Sequence, residues 1–146
     1  MKRNALLQFA KDYCYCGAIG LLIEIGFTSL GSLRNRDFRM MGRTSPIMFP
    51  IYGTAAIIRP LSHHCHRLPT IARGSLYMSA IFLTEFTSGM FLQKHHCCPW
   101  NYGRARTNIC SVVRIDYAPY WFLTGLLYEH LLSGKAQKGN VTAPGR

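Results

Sequence analysis

The stretch Gly74–Gln93, GSLYMSAIFLTEFTSGMFLQ, holds one charged side chain in 20 residues, Glu85, close to its middle. An α-helix of that length crosses a hydrocarbon core of about 30 Å, and an acid at mid-depth costs on the order of 3 kcal/mol. The stretch therefore predicts a membrane helix whose acid faces protein or water. Three more apolar windows flank it. Tyr13–Leu33 is 21 residues with Glu24 as its sole charge, Tyr117–Gly134 is 18 residues with only Glu129, and Ile47–Ile58 is 12 uncharged residues. Several such runs in 146 residues predict an all-α, polytopic membrane helix bundle of about four transmembrane helices. Their expected positions are 13–33, 46–60, 74–93 and 117–133, in a single domain 1–134 followed by a disordered tail 135–146.

The net charge of +11 comes from 17 basic and 6 acidic residues. The basic residues are spread over every connector and both tails, so no nucleic-acid partner is expected and the lipid bilayer is. With four crossings, nine basic residues fall on one side and eight on the other, so orientation is not decided by charge bias. Four acids, Glu24, Glu85, Asp116 and Glu129, lie within or at the ends of apolar windows, where they do nothing for solubility. The six cysteines do not form the pattern of a disulfide framework, and Cys14 and Cys16 read as small hydrophobes.

Along the first window Gly17, Gly20, Glu24, Thr28 and Gly31 recur at steps of 3, 4, 4 and 3. They form one small and polar helix face, which a neighbouring helix can approach closely. Three prolines limit 46–60, which reads as a tilted or kinked crossing or a re-entrant segment. His63, His64, Cys65 and His66 precede the third helix, and His95, His96, Cys97 and Cys98 follow it. A spanning helix would hold the two clusters roughly 30 Å apart, and neither alone has zinc-ligand spacing, so no metal site is expected. In the last window Tyr117, Trp121, Gly125 and Glu129 step by four along one face.

The chemistry-bearing candidates are Glu24 and Glu85, with Tyr52 and Glu129, as an intramembrane polar site for a proton, cation or polar head group. Partners expected for the acids are Arg59, Arg73 or Arg114 at helix ends. The competing reading is that the acids make interhelical hydrogen bonds that only fix packing. No G-x-x-x-x-G-K-[ST] loop and no serine, histidine and acid spacing is present, so neither enzyme activity nor a cofactor is expected.

Five blocks occur in order: Gly20-Leu-Leu-Ile-Glu24 with Phe27-Thr28, Ile51-Tyr52-Gly53-Thr54, Glu85-Phe86-Thr87-Ser88-Gly89, Cys98-Pro99-Trp100-Asn101-Tyr102, and Tyr117-Ala118 with Trp121-Phe122 and Glu129. From about Gly20 to His130 the chain thereby resembles the transmembrane protein 229 family and related bacterial membrane proteins of the type IV ABC-transporter (CmpB-like) kind. That family usually has aspartate at the position of Asn101 and tryptophan at that of Thr84. The resemblance implies a multi-pass membrane protein of about four helices, a transporter-like or permease-like component served by a membrane or ATPase partner, with oligomers allowed. The alternative is a non-catalytic membrane scaffold or interaction protein. In the fourth block Cys98, Pro99, Trp100 and Tyr102 read as structural, proline stopping the helix and the rings anchoring at the interface.

Overall fold

The computed structural model describes residues 2–140, with side chains from 3 to 134. It is mostly helical and divides in sequence after Ala56 into two compact units. The elements are α1 (Lys2–Arg34), α2 (Met48–Gly53), a 3-10 turn (Thr54–Ile57), α3 (Ile58–His64), α4 (Thr70–Lys94), β1 (Asn108–Ile109), β2 (Val113–Arg114), a second 3-10 turn (Ile115–Tyr117) and α5 (Ala118–Asn140).

In the first unit α1 begins at Lys2, well before residue 13, where the apolar window starts. Residues 2–12 contain no Gly or Pro and several strong helix formers, so the helix propagates through the basic flank. Gly17 and Gly20 receive α2. A Cβ at Gly17 would stand 2.9 Å from both the ring and the carbonyl oxygen of Phe49, and one at Gly20 would run into the Tyr52 side chain. Tyr13 meets Phe49 edge-on, with ring centroids 6.5 Å apart, and its hydroxyl donates to the Pro50 carbonyl at 3.0 Å.

The connector after α1 turns through two left-handed residues, Arg36 (φ 60°) and Met40 (φ 46°), and doubles back along the helix. The Arg43 N–H donates to Thr28 Oγ1 at 2.8 Å, and the Ser32 hydroxyl donates to the Met41 carbonyl at 3.2 Å. The small, polar face of α1 is therefore shared. A short helix covers its glycines, and the connector covers Glu24 and Thr28.

The span 46–60, expected as a tilted or kinked crossing or a re-entrant segment, is helical in three pieces from Met48 to His64. Pro50 and Pro60 each lack an N–H donor, and the Thr54 hydroxyl donates to the Ile51 carbonyl at 2.5 Å. α2, six residues long, rises only about 9 Å.

In the second unit α4 and α5 lie antiparallel along two stripes that step by four, Arg73, Tyr77, Ile81 and Glu85 against Trp121, Gly125 and Glu129. A Cβ on Gly125 would sit 2.5 Å from the Tyr77 Cβ, and Gly74 is filled by the Phe122 ring. Tyr77, Tyr128 and Leu132 are buried, and α3 lies against α5 with Ile58 inward.

The connector between α4 and α5 carries structure that the sequence pattern did not show. Asn108 pairs with Arg114 and Ile109 with Val113, around a turn whose Cys110 (φ 51°) and Ser111 (φ 60°) are both left-handed. Val112 is fully buried against Gly89, and the Trp100 indole N–H donates to its carbonyl at 2.9 Å.

The polar tail expected from residue 135 is helical as far as Asn140, and its remainder, 141–146, lies outside the described residues. Among the described residues α1 is the one helix both long and apolar enough to cross a membrane.

The glycine contacts separate two kinds of substitution in α1. Gly20→Ala is expected to destabilise the first unit by about 1–3 kcal/mol through overpacking against Tyr52. Gly26→Ala, with no atom within 4 Å of the new Cβ, is expected to stabilise by up to about 1 kcal/mol through helix propensity. Thermal unfolding of the two variants in detergent checks both signs.

Candidate functional site

Glu85 stands about four turns into α4, half-buried, on the stripe that faces α5. The Trp121 indole N–H, one turn into α5, donates to Glu85 Oε2 at 3.2 Å, and the Tyr102 hydroxyl is its second hydrogen-bonding neighbour. Among the described residues no Lys, Arg or His pairs with this carboxylate. Tyr102 leads into a series of edge-on rings, Tyr102 to Tyr117 at 5.8 Å and Tyr117 to Tyr120 at 5.9 Å. Glu85 is thus held by two neutral donors beside an aromatic wall, with lone pairs left over for a further partner.

About 18 Å away along α4, twelve residues at 1.5 Å each, the seam holds a different arrangement. Arg73 Nε lies 3.1 Å from Glu129 Oε1 and 3.4 Å from Oε2, with both side chains largely buried at 23% and 15% exposure. Arg73 Nη1 also donates to the Leu68 carbonyl at 3.2 Å, which ties the start of α4 to its preceding turn. The buried Tyr77 hydroxyl lies beside Glu129 without completing a hydrogen bond. Glu129 is a closed ion pair, while Glu85 is an open carboxylate.

Glu24 and Tyr52 belong to the first unit. The long α1 leaves Glu24 ten residues from the helix end, off its midpoint, where the Thr44 hydroxyl donates to Oε2 at 2.6 Å. Tyr52 packs its ring on Gly20, one turn away. Of the arginines expected to serve Glu24 and Glu85, Arg73 takes Glu129 and Arg114 takes Asp116.

The fourth block is pinned inward. Cys98 Sγ lies 3.2 Å from the Trp100 carbonyl, Pro99 is exposed at the bend, Trp100 holds Val112, and Tyr102 reaches Glu85. Trp100 therefore holds the hairpin, and Tyr102 stands beside Glu85. Asn101 Oδ1 accepts the Gly103 N–H at 2.8 Å, a turn contact that an aspartate would make equally well. The histidines of both clusters are exposed, and no group of three or more His, Cys, Asp or Glu among the described residues is placed to hold a metal.

Sequence reasoning paired neither Trp121 with Glu85 nor Arg73 with Glu129. One usable signal existed, because Arg73, Tyr77, Ile81 and Glu85 repeat every four residues, as Tyr117, Trp121, Gly125 and Glu129 do. At the mouth of the hairpin, Arg114 donates to both Asp116 oxygens, at 2.8 Å from Nε to Oδ1 and 2.6 Å from Nη2 to Oδ2, and stands 4.6 Å over the Tyr117 ring. The shared hydrogen bonds raise the Arg114 pKa and hold the Asp116 carboxyl below its usual range.

A mostly helical chain with one membrane-length apolar helix, and with a second helix pair that encloses an unneutralised acid, has the character of a membrane-associated helical protein. The family model described as Putative ABC-transporter type IV matches residues 12–143, and the chain belongs to that family. The match takes in all five sequence blocks, α4, α5 and both polar arrangements on their seam. No solved structure matches the chain.

Two outcomes are expected. Arg73→Gln alone should cost about 3 kcal/mol by leaving Glu129 buried and unpaired, while adding Glu129→Gln should restore much of that loss. A double-mutant cycle by chemical denaturation measures the coupling. Because the Asp116 pKa is lowered by folding, its contribution is present above the ordinary carboxylate range and is lost as pH falls through the folded value. The Tm gap between the native chain and Asp116→Asn should accordingly close as pH drops below about 4.

Proposed function

We propose that the protein is a multi-pass membrane component of the transporter or permease type, in which Glu85, Trp121 and Tyr102 form a site for a proton, a cation or a polar head group. The observation that carries this reading is the two-sidedness of the α4–α5 pair. Its seam holds Glu85 with no cation among the described residues, while its outer faces leave Leu83 and Leu123 each 64% exposed. Leu76 and Met90 extend the outer stripe of α4 at steps of seven, and Leu127 extends that of α5. Each such side chain gains roughly 1.5–3 kcal/mol by leaving water, so the outer faces suit lipid. α4, 25 residues long, rises about 37 Å, enough for the hydrocarbon core.

The chain has no phosphate-binding G-x-x-x-x-G-K-[ST] loop, so in this reading any ATP hydrolysis belongs to a separate partner subunit. The reading gives the chain no catalytic chemistry of its own. The likeness to the transmembrane protein 229 family, carried by the five blocks, agrees with a multi-pass topology. A second reading, a scaffold whose acids fix packing, is favoured by one observation, the closed Arg73–Glu129 pair.

Flux in proteoliposomes separates the two. Reconstituted protein with a proton or monovalent cation gradient should conduct, and Glu85→Gln should lower that flux by about tenfold or more, the equivalent of one lost charge-assisted hydrogen bond. Full flux in a folded Glu85→Gln protein would remove Glu85 from the path. No flux in either protein, together with a stable complex with another membrane protein, would establish the scaffold.

A further inference from the structure

The connector Arg34–Thr44 combines two properties that rarely share one short segment. Arg34, Arg36, Arg39 and Arg43 are exposed, and among the described residues none of the four is in an ion pair. Between them Phe38 is 80% exposed and Met41 62%, the first being the most exposed large hydrophobic side chain described. With Asp37 as the only acid, the stretch 34–43 carries four positive charges against one negative.

The segment is built. The Asp37 N–H donates to the Ser32 carbonyl at 3.0 Å, and the Arg39 N–H donates to Asp37 Oδ1 at 3.1 Å. Ser32 holds the Met41 carbonyl, and Thr28 holds the Arg43 N–H. The acid is thus spent on the backbone of its own turn. Two arginine-rich arcs are left with Phe38 at their apex. The left-handed residues Arg36 and Met40 flank that apex, a costly conformation for side-chain-bearing residues, which persists where the surroundings enforce it. The loop also closes on the end of α1, the helix long and apolar enough to cross a membrane, beside the exposed Leu30 and Leu33.

We infer that this connector is an anionic-lipid site, in which Phe38 and Met41 enter the acyl boundary and the guanidiniums of Arg36 and Arg39 engage phosphate or carboxylate headgroups. Guanidinium forks match such oxygens in pairs, and basic residues beside an anionic leaflet add attraction to whatever the apolar side chains gain. The inference rests on α1 lying in the bilayer, as the proposed function requires.

The test uses the full chain in nanodiscs. Phe38→Trp places an indole at the apex, and its emission is compared with that of the native chain, whose Trp100 and Trp121 supply the background. In discs whose acyl chains are brominated near the headgroup, the added emission should be quenched. Purification from mixed phosphatidylglycerol and phosphatidylcholine, followed by native mass spectrometry, should show retained phosphatidylglycerol. Arg36→Gln with Arg39→Gln should lower that retention by on the order of tenfold, with phosphatidylcholine unchanged. If the chain inserts but the residue at 38 is not quenched, the lipid site is overturned and the loop becomes a surface for a protein partner. Equal retention of both lipids, or no loss in the double arginine variant, also overturns it. Failure of the chain to insert at all would instead overturn the membrane reading on which the inference rests.

Discussion

At Gly125 the backbone of α5 comes so close to Tyr77 that a Cβ has no room, and this approach sets which polar groups can meet across the seam. One turn of α5 in one direction brings Glu129 to Arg73, and one turn in the other brings Trp121 to Glu85. A larger residue at the crossing would push the helices apart at the point where both pairs take their spacing. The same logic recurs at Gly89, where Val112 enters and fixes the hairpin that carries Tyr102 toward Glu85. Close packing of small residues against large ones therefore positions the polar chemistry, and the polar groups settle register more than they add net stability.

The two acids on the seam differ in what surrounds them. Glu129 has a guanidinium and little room for anything else, so its charge is spent locally. Glu85 meets an indole N–H, which can only donate, and a phenol. Neutral donors orient a carboxylate without cancelling its charge. An arrangement of that kind suits a group that exchanges partners, whereas the Arg73–Glu129 pair suits a fixed strut.

Much of the helical framework was legible because an uninterrupted apolar run of sufficient length has few alternatives to a helix. The windows that begin at Tyr13 and Gly74 each fall within an observed helix, and the one that begins at Tyr117 does so from its second residue, Ala118. Charge hid the first turns of α1, since Lys2, Arg3 and Lys11 read as a flank although their neighbours favour helix. Prolines at 50 and 60 were visible, but the resulting break at Thr54–Ile57 depends on how neighbouring carbonyls are satisfied. The hairpin at Asn108–Arg114 has neither glycine nor proline at its turn, so no punctuation announced it. For the candidate site, the glutamates stood out by type and surroundings. Their partners did not, because Trp121 is 36 residues from Glu85 and Glu129 is 56 from Arg73. Helical phase places each residue on a face but leaves open which face it meets.

The division of the chain after Ala56 bears on the order of assembly during synthesis. The contacts that join α1 to its connector and to α2 are complete once Gly53 has packed on the Tyr13 ring. No residue of the α4–α5 seam is needed for them. The first unit can therefore close while the second is still being made, and the step that completes it spans only the chain from Tyr13 to Gly53. The second unit must wait for Glu129, 56 residues after Arg73, before its ion pair can form. Until then Arg73 and Glu85 lack their seam partners, and the interval between emergence of α4 and of α5 is the period in which the nascent chain depends most on its surroundings.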